Sequence, residues 1–145
     1  MAKDALHHAF PDLTDEQRKH LLDLAGVKTV TSGDIVIQQH DAHGFLGVVV
    51  SGNARVLQES YDHANVEFTG PLGPGDMFGE ISFVDRQPSS ATLVADGDLT
   101  YLSLSRTAVD ALIENDHELG MRFYHSVLST LCRRLRQTNI RVQPN

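Results

Sequence analysis

The chain has 145 residues, enough for one domain with a buried core and too few for a sensor joined to a full output domain. Its 12 Lys and Arg against 19 Asp and Glu leave a net charge of −7, which argues against general nucleic-acid affinity, because phosphate neutralisation by cations supplies most such binding. A single cysteine, Cys132, excludes an internal disulfide; with no arginine-rich signal segment or membrane-length apolar run at either end, a soluble chain in the reducing cytoplasm is expected.

Residues 2–10 read as a loose helical turn stopped by Pro11. Thr14, followed three residues later by Gln17, has the form of a capping box, so a packing helix is expected over 15–25. Leu21, Leu22, Leu24 and Ala25 supply its buried side, Asp15, Glu16, Arg18 and Lys19 its wet side, and Gly26 its end. From residue 27 to 104 short β-prone runs alternate with turn signals, a pattern of barrels, sandwiches and rolls. Ser51-Gly52-Asn53 reads as a hairpin turn between Val48-Val49-Val50 and Arg55-Val56-Leu57. A second hairpin is expected near 62–65, with Val66, Glu67 and Phe68 returning. Asp96-Gly97-Asp98 reads as the turn between strands at 92–95 and 99–104.

Between these lies the stretch 70–95, dense in glycine. Gly70, Gly73, Gly75 and Gly79 permit a backbone that curls its N–H groups inward, and the run 80–84 forms one or two helical turns whose first N–H groups suit an anion. Ser105 then reads as an N-cap for a helix to about Ile113, interrupted by Asn115 and Asp116. The last helix, expected over 117–140, carries more apolar surface than one stripe needs. Tyr124, Leu128, Leu131, Leu135, Thr138 and Val142 follow alternating steps of four and three, the seam of a coiled coil, while Phe123, Val127 and Cys132 are free to face the β region. Two buried faces imply two partners, so a homodimer through the helix 117–140 is expected. Arg133, Arg134, Arg136 and Arg141 give that helix a basic end, read as a solvated terminus with cations near the negative pole of the helix dipole, or as a contact for an acidic partner or nucleic acid.

The run Gly79-Glu80-Ile81-Ser82-Phe83, followed by Pro88-Ser89-Ser90-Ala91-Thr92, resembles the phosphate-binding cassette of the cyclic-nucleotide-binding domain, the family of the bacterial catabolite activators and the regulatory subunits of protein kinase A. The resemblance extends over nearly the whole chain. It implies a mainly β fold with flanking helices: a double-stranded, jelly-roll-like β-roll over 27–104 with its cassette at 75–92, an N-terminal helical segment over 1–26 and C-terminal helices over 105–145. By that resemblance Glu80 takes a ribose 2′-hydroxyl after Gly79, the N–H groups of Ile81 and Ser82 take a cyclic phosphate, and Ser89, Ser90, Ala91 and Thr92 form the far wall. Thr138 and Asn139 match the places that reach a purine base.

The commonest form of the cassette has an arginine after the proline, and this chain has Ser89 there. A hydrogen bond to a charged group contributes about 1.5–3 kcal/mol, and about 1.4 kcal/mol is tenfold in affinity. Cyclic AMP or cyclic GMP is therefore expected to bind weakly, or a variant nucleotide or anion to bind instead. Arg86, in the same loop, either reaches inward as a substitute or stays a solvated loop residue.

Other chemistry finds little support. The eight histidines lack His-x-His with a downstream Glu and His-Glu-x-x-His; His7 with His8, and His40 with Asp41 and His43, fall in terminal or turn positions and read as surface residues rather than metal ligands. His125 reads as a packed or interface histidine. Cys132 reads as buried among leucines, no serine sits in a Gly-x-Ser-x-Gly elbow, and neither Asp76 nor Glu80 has an identifiable catalytic partner, so no enzyme is expected. Three readings follow: a stand-alone sensor that relays ligand binding through its last helix, a non-sensing dimerisation or protein-interaction domain, and the sensor part of a transcription regulator whose DNA-binding domain lies elsewhere. The chain by itself is expected to bind neither nucleic acid nor membrane.

Overall fold

The computed structural model describes residues 1–59, 65–67 and 70–142. Helix α1 (Ala2–Ala9) is a full helix rather than a loose turn, and it stops where Phe10 takes an extended φ of −126° before Pro11. Helix α2 (Asp15–Leu24) is opened by the expected capping box: Gln17 N–H donates to Thr14 Oγ1 at 3.1 Å and Thr14 N–H to Gln17 Oε1 at 2.9 Å. Of the four apolar residues expected to bury, Leu21 is fully covered and the others half-covered. Gly26 does not end the helix. Ala25 already turns extended (φ −74°, ψ 140°), and Gly26 is the first residue of β1 (Gly26–Val30).

The remaining strands are β2 (Ile35–Ile37), β3 (Phe45–Glu59), β4 (Asn65–Glu67), β5 (Met77–Phe78) and β6 (Thr92–Ser105). Among the described residues they form one antiparallel sheet in the order β1-β6-β3-β4, with β2 added to β6 and β5 to β3, rolled so that β3 and β6 run together through its length. The two expected hairpin turns at 51–53 and 96–98 are not hairpins. Both lie inside these long strands, opposite each other: Ser51 pairs with Thr100 and Asn53 with Asp96, so the register shifts there. Gly52 (φ +86°) and Gly97 (φ +80°) bend their strands instead of reversing them. Gly52 also sits directly against the Asp98 carbonyl, where a Cβ has no room. The flanks of the third expected hairpin pair as anticipated, Leu57 with Glu67 and Glu59 with Asn65; its turn at 62–64 and Phe68 lie outside the described residues.

Period-two alternation divides the strands between two cores. Leu46, Val48 and Val50 of β3 and Leu102 and Leu104 of β6 face the helices, joining Leu6, Phe10, Leu21, Phe83, Phe123 and Val127. Val49 of β3 and Leu99 and Tyr101 of β6 face the roll's interior with Ile37, Leu72 and Phe78.

Ser105 caps α4 (Arg106–Asn115), its hydroxyl accepting from Ala108 N–H at 3.3 Å. Helix α5 (His117–Val142) buries Leu119, Phe123 and Val127 at steps of four against the body. Cys132, expected to face the roll, is exposed. The buried row continues through Thr130 and Leu131, and a residue one step further on is rotated about 100° away from it. The expected coiled-coil seam is likewise divided: Tyr124 and Leu131 pack partly against the helix-side core, whereas Leu128 and Leu135 are 54% and 62% exposed. Among the described residues no helix is long and apolar enough to cross a membrane.

Candidate functional site

A cavity of about 400 Å³ opens between the roll, the turn that follows β5 and helix α5. Its floor is apolar, with Ile37, Val56, Leu72, Phe78 and Leu93 continuous with the roll's interior core. One wall is built by Gly79, Glu80, Ile81 and Ser82, another by Ser89, Ser90, Ala91 and Thr92. Residues separated by some ten positions in the sequence thus surround one space.

The first wall exists because Gly79 adopts φ +72° and starts helix α3 (Glu80–Asp85) with no side-chain cap on its first turn. A Cβ on Gly79 would stand 2.8 Å from His43 Cε1 and 3.3 Å from both Ile37 Cδ1 and the Phe45 carbonyl. Only glycine fits there. Glu80 is consequently drawn inward, its side chain 8% exposed, and Arg134 of α5 reaches across to it: Nη1 donates to Glu80 Oε1 at 2.6 Å and Nη2 to the Met77 carbonyl at 2.5 Å. This charge-assisted pair joins the turn after β5 to the last helix inside the cavity. Leu131 and Leu135 flank Arg134 and close the α5 side.

The sequence model of the cyclic nucleotide-binding domain matches residues 27–116, well over half of the chain. The chain belongs to the cyclic nucleotide-binding domain family. A CRP-like cAMP-activated global transcriptional regulator of Mycobacterium tuberculosis is 28% identical over 107 residues, covering 74% of this chain and 46% of the relative, so the chain spans about half the length of that protein. The Thermus thermophilus catabolite activator protein is 28% identical with a TM-score of 0.81, covering 93% of this chain and 61% of that one. A cyclic nucleotide-binding domain from Methylobacillus flagellatus has the same fold at 21% identity, with a TM-score of 0.88 and coverage of 99% and 85%. The regulatory domain of Toxoplasma gondii protein kinase A, solved with cAMP, is also similar in fold, at 18% identity and a TM-score of 0.74, covering 94% of this chain and 49% of that one. The β-roll flanked by helices that the cassette implies is the fold observed, and these relatives are regulators and binding domains.

Within this cyclic nucleotide-binding domain, the loop bearing Ser89 is tied down locally. Ser89 N–H donates to the Asp41 carbonyl at 3.0 Å and its carbonyl accepts from His40 N–H at 2.8 Å. Its hydroxyl donates to the Ala91 carbonyl at 2.6 Å. Thr92 Oγ1 accepts from Gln39 N–H at 2.9 Å. Arg86 does not reach the cavity: it caps the far end of α3 in the left-handed region (φ 62°), its side chain is 70% exposed, and it stands 3.8 Å from Asp110. Thr138 and Asn139 lie on the last turns of α5, and their side chains are outside the described residues.

Sequence reasoning missed two polar residues of the site. Arg134 was read as part of a solvated basic end; it lies four residues before Thr138, hence on the same helix face as the expected base contacts, which is the signal that finds it. His43 was read as a surface histidine. Its ring is half-buried in the cavity wall, with Nδ1 3.1 Å from the Phe45 carbonyl and Nε2 covered and without a partner among the described residues. Burial pushes this imidazole below its ordinary value, and the nearby Arg106 charge pushes the same way; the Phe45 contact and Glu80 oppose them. No local motif marks His43: its hydrogen-bond contact is to the Phe45 carbonyl two residues on, and Gly79, which sets it in the cavity wall, lies 36 positions away.

Proposed function

We propose that this chain is a regulatory sensor domain that binds a cyclic nucleotide weakly, or a variant nucleotide or anion, and passes the bound state to α5. The observation that carries the reading is the Glu80–Arg134 pair, which puts the carboxylate expected to take the ribose in direct contact with the last helix. In this reading Glu80 accepts the 2′-hydroxyl, the uncapped N–H groups of Ile81 and Ser82 hold the phosphate, Ser89 to Thr92 bound its far side, and Thr138 and Asn139 meet the base. A hydroxyl entering between Glu80 and Arg134 alters the hold on α5, and it shifts the position of that helix only as far as the ligand prefers one arrangement over the other. The exposed Leu128 and Leu135 supply the surface for a homodimer through α5. Ligand chemistry follows from the relatives, one named as cAMP-activated and another solved with cAMP. A transcription regulator with its DNA-binding domain in a further segment fits the same relatives, of which this chain spans about half.

A non-sensing interaction domain is the second reading, and a specific observation favours it. Glu80 is already satisfied by Arg134 and the Ser89 hydroxyl by Ala91, so these two cavity groups do not require a ligand.

Isothermal titration with cyclic AMP and cyclic GMP separates the two. Micromolar binding that Glu80→Ala abolishes supports the sensor. Ser89→Arg is expected to tighten binding roughly tenfold by restoring a counter-charge. No heat from the parent or from Ser89→Arg would sink the sensor reading and leave the interaction domain.

A further inference from the structure

Arg106 opens α4 and does not line the cavity, yet it holds the helix that does. Its Nη2 donates to the Ser82 carbonyl at 2.8 Å and to the Phe83 carbonyl at 3.3 Å, and its Nε donates to the Phe83 carbonyl at 3.3 Å. The guanidinium carbon stands 5.5 Å from the centre of the Phe83 ring. Its own N–H donates to the Gly44 carbonyl at 2.8 Å, beside His43 and the start of β3.

Helix α3 has six residues, too few to be stable by itself, and its C-terminal carbonyls carry the negative end of the helix dipole. The Ser82 carbonyl also accepts from the Arg86 N–H at 2.9 Å. A bidentate cation on these carbonyls fixes both the end of the helix and its rotation, and therefore the direction of the Ile81 and Ser82 amides at the other end. The Phe83 ring, clasped beneath the guanidinium, meets Phe123 at 5.9 Å and Tyr124 at 6.5 Å on α5.

We infer that Arg106 is the positioning residue of the cavity's anion-facing wall: it sets the Ile81 and Ser82 amides for a ligand's phosphate without touching the ligand. This rests on the nucleotide reading above. Lysine keeps the charge and one of the carbonyl contacts; glutamine keeps neither the charge nor the fork.

The test uses the full chain with Arg106→Gln and Arg106→Lys, titrated with cyclic AMP, together with backbone amide NMR spectra taken without ligand. Arg106→Gln is expected to weaken cyclic AMP about tenfold and Arg106→Lys to stay within about threefold of the parent. The ligand-free amide signals of residues 80–83 are expected to move in Arg106→Gln while those of 46–50 in the sheet hold still. Parental affinity in Arg106→Gln, unmoved signals at 80–83, or a lysine that rescues nothing would each overturn the role. If the parent binds no cyclic nucleotide, the nucleotide reading fails separately, and the ligand-free amide signals alone decide whether Arg106 positions the wall.

Discussion

On the helix side of the sheet, Phe10 and Phe123 stack at 4.9 Å, Phe83 and Tyr124 close around them, and Leu6, Leu21, Leu46, Leu102, Leu104 and Leu119 are fully covered. Inside the roll, Phe78 meets Tyr101 edge-on at 5.2 Å and Phe45 at 6.1 Å, but Ile37, Val56, Leu72 and Leu93 border the cavity on their other side. The two regions draw on the same strands and similar residues. What separates them is that residues of all five helices pack on the first, while the second borders a cavity walled by the turn after β5, α3 and α5. The sealed side therefore carries stability, and the open side is where the proposed ligand would enter.

The sharpest way to break this comparison is to delete one ring from each side and measure urea unfolding. Phe123→Ala should cost about 3–5 kcal/mol, since the void it leaves is enclosed and cannot collapse. Phe78→Ala should cost about 2–3 kcal/mol, because it enlarges an opening that already exists. Equal costs would mean that the roll's interior is as closed as the helix side.

Between the two regions stands the Glu80–Arg134 pair. Arg134→Met should destabilise by about 2–3 kcal/mol, less than a fully buried pair because the arginine side chain keeps 19% exposure. The double variant with Glu80→Gln should recover most of that loss in the same urea titration. A single variant as stable as the parent would show that α5 is not fastened to the turn after β5 by this pair.

His43 gives the smallest effect. Burial favours its neutral form, so the native state binds fewer protons than the unfolded chain, and stability rises with pH across the window between the lowered native value and the ordinary value of about 6.5. Acidification from pH 8 through that window should therefore cost the parent more stability than it costs His43→Asn, whose amide can still donate to the Phe45 carbonyl. Identical losses in urea midpoint would remove His43 as a source of acid sensitivity.

The readable parts of this protein were those whose partners lie close in sequence. Thr14 and Gln17 announce a capping box, Ser105 an N-cap, and Gly79-Glu80 a turn into a helix, each within four residues. The cavity's eight expected residues come from two short runs and converge because both runs border one loop. The bends at Gly52 and Gly97 were misread because a glycine between β-prone runs signals a turn, and only the pairing with a strand some 45 residues away tells a bend from a reversal. Arg134 and Glu80 are 54 positions apart. Helical spacing places Arg134 on a face, but the rotation of α5 against the roll is fixed by Phe123 and Val127 packing, which no spacing rule supplies.

The alternation along β3 and β6 bears on how this domain tolerates changes of length. Between 46 and 50, neighbouring residues belong to opposite cores, so inserting or deleting one residue there would send helix-side leucines and valines into the roll and the roll's residues out beneath the helices. Such a change would spoil both cores at once. At 51–53 and 96–98 the pairing register is already broken, and Gly97 has no atom within 4 Å of where a Cβ would stand. Sequence drift in loop length, and any peptide tag inserted by an experimenter, finds its tolerant place at that outer corner on the β6 side.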